Sequence, residues 1–172
     1  MCRTANGYDI NGFGQLKDGR GNICPATIIM PTLAMEAKEK ASKTNKNIVE
    51  CFIDILDKAI SDTKDQLLER FEWICSQSPD SAKFMYENGV MEGYVPEEGI
   101  RSALKHGTLA IGQLGLAETL QILIGCDHTE PEGMELAKRI EQLFKDRCAE
   151  FKEKYKLNFG VYYTPKTSDW VA

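Results

Sequence analysis

The chain has 172 residues, 42% hydrophobic and 27% charged, and carries a net charge of −5. That length suits one domain with a sizeable core, and the acidic balance, with no basic stripe interleaved with aromatics, argues against a nucleic-acid-binding surface. The N-terminus has no signal-like apolar core and no apolar run approaches the roughly 18 residues of a membrane span, so a cytoplasmic protein without membrane association is expected.

In chain order, residues 1 to 20 are rich in Gly, Asn and Asp and poor in apolar side chains, which predicts a long irregular loop. Loops of that length in compact proteins are mostly functional or disordered. Ile23 to Met30, bounded by Pro31, predicts a short buried strand. A helix opens at Pro31 or Thr32, runs through Leu33 to Lys38 and fades over Ser42 to Asn47. A longer helix follows, with Ile48, Phe52, Ile55, Ala59, Leu67, Phe71 and Ile74 at helical spacing.

Ser78 to Pro96 contains two prolines and two glycines and predicts short helical turns and loop. Gly112 to Gly125 reads as a helix closed by Gly125. Thr129 and Glu132 have capping-box spacing ahead of a last helix marked by Ala137, Ile140, Phe144, Cys148, Phe151 and Tyr155. Asn158 to Thr164 predicts a strand ended by Pro165. The order loop, strand, helices, strand predicts an α/β, helix-dominated protein, taken as a single domain over residues 1–172.

The pairs Gly12-x-Gly14 and Gly19-x-Gly21 match neither the dinucleotide-binding spacing nor a phosphate loop ending in Gly-Lys-Ser/Thr. Cysteines stand at 2, 24, 51, 75, 126 and 148 without a Cys-x-x-Cys pair, which excludes a zinc ribbon or thioredoxin motif. Those at 51, 75 and 148 fall in helical patterns and read as buried thiols. Cys2 and Cys24 lie on or beside the glycine-rich loop, where each is either reactive or incidental. His106 and His128 form no ligand set with another His or Cys, so no metal site is expected. Glu118 sits in the apolar, small-residue segment Ile111 to Leu123, and is either a buried functional carboxylate or a helix-surface residue.

Taken together, Cys2-Arg3-Thr4, Asp9-Ile10-Asn11-Gly12, Gly19-Arg20-Gly21-Asn22, Thr27-Ile28, His106-Gly107-Thr108-Leu109, Gly115-Leu116-Ala117-Glu118 and Asp146-Arg147-Cys148 form an ordered set. It resembles that of the anaerobic (class III) ribonucleotide reductases, glycyl-radical enzymes that reduce ribonucleoside triphosphates for deoxyribonucleotide biosynthesis and so for DNA replication. The resemblance runs from Cys2 to about Pro165. It implies an α/β barrel threaded by a finger loop, with residues 1–22 as the finger-loop segment and 23–172 as a strand-helix segment of the barrel.

By the same resemblance, Cys2 is the catalytic thiol that becomes a thiyl radical and takes the ribose 3′ hydrogen, after which the 2′ hydroxyl leaves as water. Asn22 is the catalytic-site amide that hydrogen-bonds the substrate hydroxyls, with Arg3, Gly21 and Glu118 as further substrate-binding residues. The resemblance implies formate as reductant, and a glycyl radical installed by an iron–sulfur, S-adenosylmethionine-dependent activating enzyme. No cofactor is expected within these residues themselves. The family's Arg-Val-x-Gly-Tyr-like radical loop and its cysteine-bound zinc site have no counterpart here, so the chain is expected to be an internal segment, inactive alone. The alternative is a non-catalytic helical interaction module derived from the same family. Either way, strands 23–30 and 158–164 are expected to offer edges for self-association.

Overall fold

The structure, a computed structural model, describes residues 7–163. Its elements in chain order are β1 (Asn22–Ile29), α1 (Met30–Thr44), α2 (Ile48–Cys75), α3 (Lys83–Glu87), α4 (Arg101–Leu104), β2 (Thr108–Leu114), α5 (Leu116–Ile124), α6 (Pro131–Tyr155) and β3 (Asn158–Tyr163). Single turns of 3-10 helix occupy Pro79–Ala82 and Pro96–Glu98. The three strands form one parallel sheet in the order β1-β2-β3. Helices dominate, and the α/β class is as expected from the sequence.

Local chemistry sets most of the boundaries. Pro31 occupies the first turn of α1, where its missing N–H leaves nothing unsatisfied, and Asn45 ends that helix in the left-handed conformation at φ 53°. The Asn47 side chain accepts the N–H groups of Val49 at 2.8 Å and Glu50 at 3.3 Å, which fixes the start of α2. Gly125 closes α5 at φ 78°. The expected capping box does not form: the Asp127 carboxylate takes both the N–H and the hydroxyl of Thr129, at 2.8 and 2.6 Å, and α6 begins at Pro131.

One element departs from the sequence reading. Thr108–Leu114 is the central strand, so Gly112 to Leu114 are extended and helix begins only at Leu116. Thr108 to Gln113 are all buried, which removes the alternation that marks a half-exposed strand. Gly115, left-handed at φ 82°, separates strand from helix. Cys51 and Cys148 are buried as expected, whereas Cys75, the last residue of α2, is only half-buried. Burial pushes the Cys148 thiol up to about 12 and also raises Cys75.

The chain packs as two compact units, and each strand, with α2 and α6, supplies residues to both. The first contains residues 7–26, 64–111 and 148–160; its buried apolar side chains include Ile23, Leu67, Phe71, Ile100, Leu109 and Phe151. The second contains residues 27–63, 112–147 and 161–163, where α1 packs on α5 and Met30, Phe52, Leu56, Ile60, Leu120, Ile140 and Phe144 are buried. No helix among the described residues is long and apolar enough to cross a membrane.

Candidate active site

The expected site begins where the glycine-rich loop enters β1, within the first unit. Gly21 is pinned there: its carbonyl accepts the Thr108 N–H at 2.9 Å, and a side chain at Gly21 would meet nothing within 4 Å. Asn22 follows as the first residue of β1. Its Oδ1 is buried and has no hydrogen-bond partner, and the same is true of Nη2 of Arg20 two residues earlier. Cys24, half-buried, holds a left-handed φ of 49° just before Pro25, an uncommon conformation for a residue with a Cβ.

Among the described residues the loop leading to Gly21 has no regular pairing beyond an isolated bridge between Asp9 and Gly14, so much of its backbone takes side chains as partners. Asp9, 1% exposed, accepts the N–H groups of Asn11 at 2.9 Å and Phe13 at 3.0 Å, the Asn158 amide at 2.7 Å, and pairs with His106 Nδ1 at 2.7 Å. Asn158 accepts the Ile10 N–H at 3.1 Å and donates to the carbonyls of His106 and Gly107 at 3.3 and 3.2 Å. The Asn11 amide donates to the carbonyls of Lys105 at 2.9 Å and Lys156 at 3.2 Å.

Arg20 grips the other end, donating from Nε to the His106 carbonyl at 2.6 Å and from Nη1 to the Leu16 and Gly7 carbonyls at 2.7 and 3.0 Å. The Phe13 ring stacks on His106 at 3.8 Å between centroids, 12° from parallel. Gly93, at φ 78°, lies against both rings: a Cβ there would stand 2.8 Å from Phe13 and 3.0 Å from His106, so only glycine fits.

The electrostatics keep Asp9 ionised. Burial works to raise the Asp9 carboxyl, but hydrogen bonds from Asn158 and His106 and from the backbone of Asn11 and Phe13 outweigh it and hold the group at about 2. An ionised carboxylate only accepts, so His106 carries a proton on Nδ1 and donates it. Lys152, whose ammonium donates to the Tyr8 carbonyl at 2.7 Å, is lowered from its ordinary value by burial, against the attraction of Asp9.

Of the residues the sequence singled out, Gly21 and Asn22 are adjacent at the loop exit. Glu118 belongs to the second unit, half-buried on the first turn of α5. Cys2 and Arg3 lie outside the described residues. No cluster of three or more His, Cys, Asp or Glu suited to a metal occurs among the described residues. Sequence reasoning missed the loop's anchors, His106, Asn158 and Arg20. Asp9 and Asn11 carried a local signal, an acidic side chain two residues before an N–H it can cap, but nothing local announces the partners.

Residues 1–168 match the family model described as anaerobic ribonucleoside-triphosphate reductase. The chain is similar to the anaerobic ribonucleoside-triphosphate reductases of Escherichia coli strain K12 and Salmonella typhimurium strain LT2, at 25% identity over 170 residues in each case. Each comparison covers 95% of this chain and 23% of the relative, so the chain spans under a quarter of the length of these curated relatives.

Proposed function

The chain belongs to the anaerobic ribonucleoside-triphosphate reductase family, and from that premise we propose that it forms the thiol-bearing part of a catalytic barrel reducing ribonucleoside triphosphates to deoxyribonucleotides. Cys2 would lose its thiol hydrogen to a glycyl radical, take the ribose 3′ hydrogen, and so labilise the 2′ hydroxyl, which departs as water. Formate would supply the two electrons and leave as carbon dioxide. Sulfur suits the relay because its S–H bond is weak enough to exchange hydrogen with carbon radicals, and an enclosing barrel would exclude competing water and oxygen.

The observation that carries this reading is Asn22. A buried acceptor without a partner costs about 1–3 kcal/mol, and Asn22 Oδ1 is such an atom at the loop exit. A ribose hydroxyl is a donor that would satisfy it, while the free side of Gly21 leaves room for the sugar. Arg3 and Glu118 are further proposed substrate contacts, and the activating enzyme is the proposed protein partner.

Calorimetric titration of the chain with ATP, CTP, GTP and UTP tests the reading. At least one should bind, and Asn22→Ala should remove that binding; no heat from any of the four overturns it. With activating enzyme, S-adenosylmethionine and formate added, these 172 residues by themselves should form no deoxyribonucleotide, because they contain no Arg-Val-x-Gly-Tyr-like radical loop. Appreciable product would contradict that requirement. In a sheet ordered β1-β2-β3, β1 and β3 each pair on one side among the described residues, which supports self-association through those edges. Sedimentation showing a strict monomer at all concentrations counts against it.

A further inference from the structure

We propose that Asp9, with His106 and Asn158, is the positioning centre that sets the course of the loop between Tyr8 and Asn22; this rests on the substrate reading of Asn22 given above.

The segment between them cannot position itself. Among its described residues it has no helix and no strand beyond an isolated bridge, and its backbone contacts are scattered, with Leu16 N–H on the Phe13 carbonyl and Glu92 N–H on the Gly19 carbonyl, so side-chain contacts must supply the rest. Three side-chain contacts take N–H groups near its start: Asp9 holds those of Asn11 and Phe13, and Asn158 holds that of Ile10. Both acceptors and the His106 ring paired with Asp9 are more than nine-tenths buried, with Asp9, Asn158 and His106 at 1%, 3% and 4% exposure. The His106 carbonyl is gripped by Arg20, two residues before Asn22. One buried cluster therefore fixes both ends of the described loop.

An apolar cluster would fill the same volume without desolvating a carboxylate. What apolar side chains cannot do is receive particular N–H groups at set directions, and Asp9 with Asn158 does this for three. The stacking of Phe13 on His106, and Gly93 closing on both, hold the imidazole so that Nδ1 faces Asp9. Asp9 touches no expected substrate group and acts through the loop.

The test uses the full 172-residue chain, labelled with nitrogen-15, and reads the Asn22 side-chain amide resonance during titration with ATP, CTP, GTP and UTP, alongside backbone hydrogen exchange. In Asp9→Asn, exchange at Asn11 and Phe13 should rise at least tenfold and the apparent Kd read at Asn22 should weaken at least fivefold. Ile140→Val, which loosens the core of the second unit, should alter neither. His106→Gln keeps a donor toward Asp9 and should retain more of the Asn22 response than His106→Leu; this pair decides the matter if Asp9→Asn fails to fold.

Faster exchange with an unchanged Asn22 response makes Asp9 a stabiliser only and overturns the proposal while the substrate reading stands. Equal behaviour of the two His106 variants also overturns it. No Asn22 response in the unmodified chain to any of the four nucleotides overturns the substrate reading, and the positioning role with it.

Discussion

His106 Nδ1 lies 2.7 Å from Asp9 Oδ2, a pair joining residues 97 positions apart in the chain. With Asn158 completing the contact on the other carboxylate oxygen at 2.7 Å, the first loop, the turn after α4 and the start of β3 are tied together at one carboxylate.

Acid should loosen that tie. Asp9 sits at about 2 in the folded chain against an ordinary 3.8, so its contribution is fully present above pH about 4 and is lost as pH falls through about 2. The shift corresponds to something on the order of 2 kcal/mol. Urea unfolding between pH 5 and pH 2 should therefore show a steeper loss for the unmodified chain than for Asp9→Asn, whose amide does not titrate. Parallel curves would show that the carboxylate is not held low.

Tyr162 provides a steric test in the second unit. Its hydroxyl and Thr27 Oγ1 lie 2.5 Å apart, and its ring occupies the space where a Cβ on Gly112 would stand. Gly112→Ala should push the ring aside, break the contact with Thr27, and cost about 1–3 kcal/mol. In a Tyr162→Ala background the same substitution should cost much less, since the obstructing ring is gone. A double-mutant cycle in urea reads the difference, and an equal cost in both backgrounds sinks the argument.

These two sites show why part of the molecule was legible in the sequence and part was not. The long helices announce themselves because their buried residues repeat at helical spacing, and Gly125 marks a helix end through a conformation that glycine adopts without strain. β2 hides because it is covered on both faces, and its Gly112, which resembles a helix boundary, is small to admit a ring 50 residues later. The resemblance singled out Asn22 and Gly21 through a contiguous motif. The anchoring of the loop was invisible because Asp9, His106 and Asn158 come from three distant stretches, and His106 alone looks like an ordinary turn residue.

Cys24 should respond to substitution through its backbone. At φ 49° a residue with a Cβ carries strain, typically of order 1 kcal/mol or somewhat more. Cys24→Gly relieves it while adding unfolded-state entropy, so thermal stability should change by less than about 1 kcal/mol in either direction. Cys24→Val, β-branched at a positive φ, should cost roughly 1–3 kcal/mol. If Val is tolerated as well as Gly, the left-handed conformation is not what constrains this position.

Asn22 offers the sharpest separation of stability from function. Most substitutions of half-buried residues destabilise, but here the side chain brings a buried acceptor with no partner, which the folded state carries at a cost. Removing it in Asn22→Ala should leave stability unchanged or raise it by up to about 1 kcal/mol, while abolishing nucleotide binding. Asn22→Asp should behave oppositely in stability, because it would place a carboxylate where the structure shows no donor for Oδ1, and burial would raise its pKa or weaken the fold. A site retained for a ligand at the expense of stability gives this pattern; one retained for packing does not. Urea midpoints of the two variants decide between them: a loss of more than about 1 kcal/mol in Asn22→Ala would make Asn22 a structural residue and remove the main support for the substrate reading.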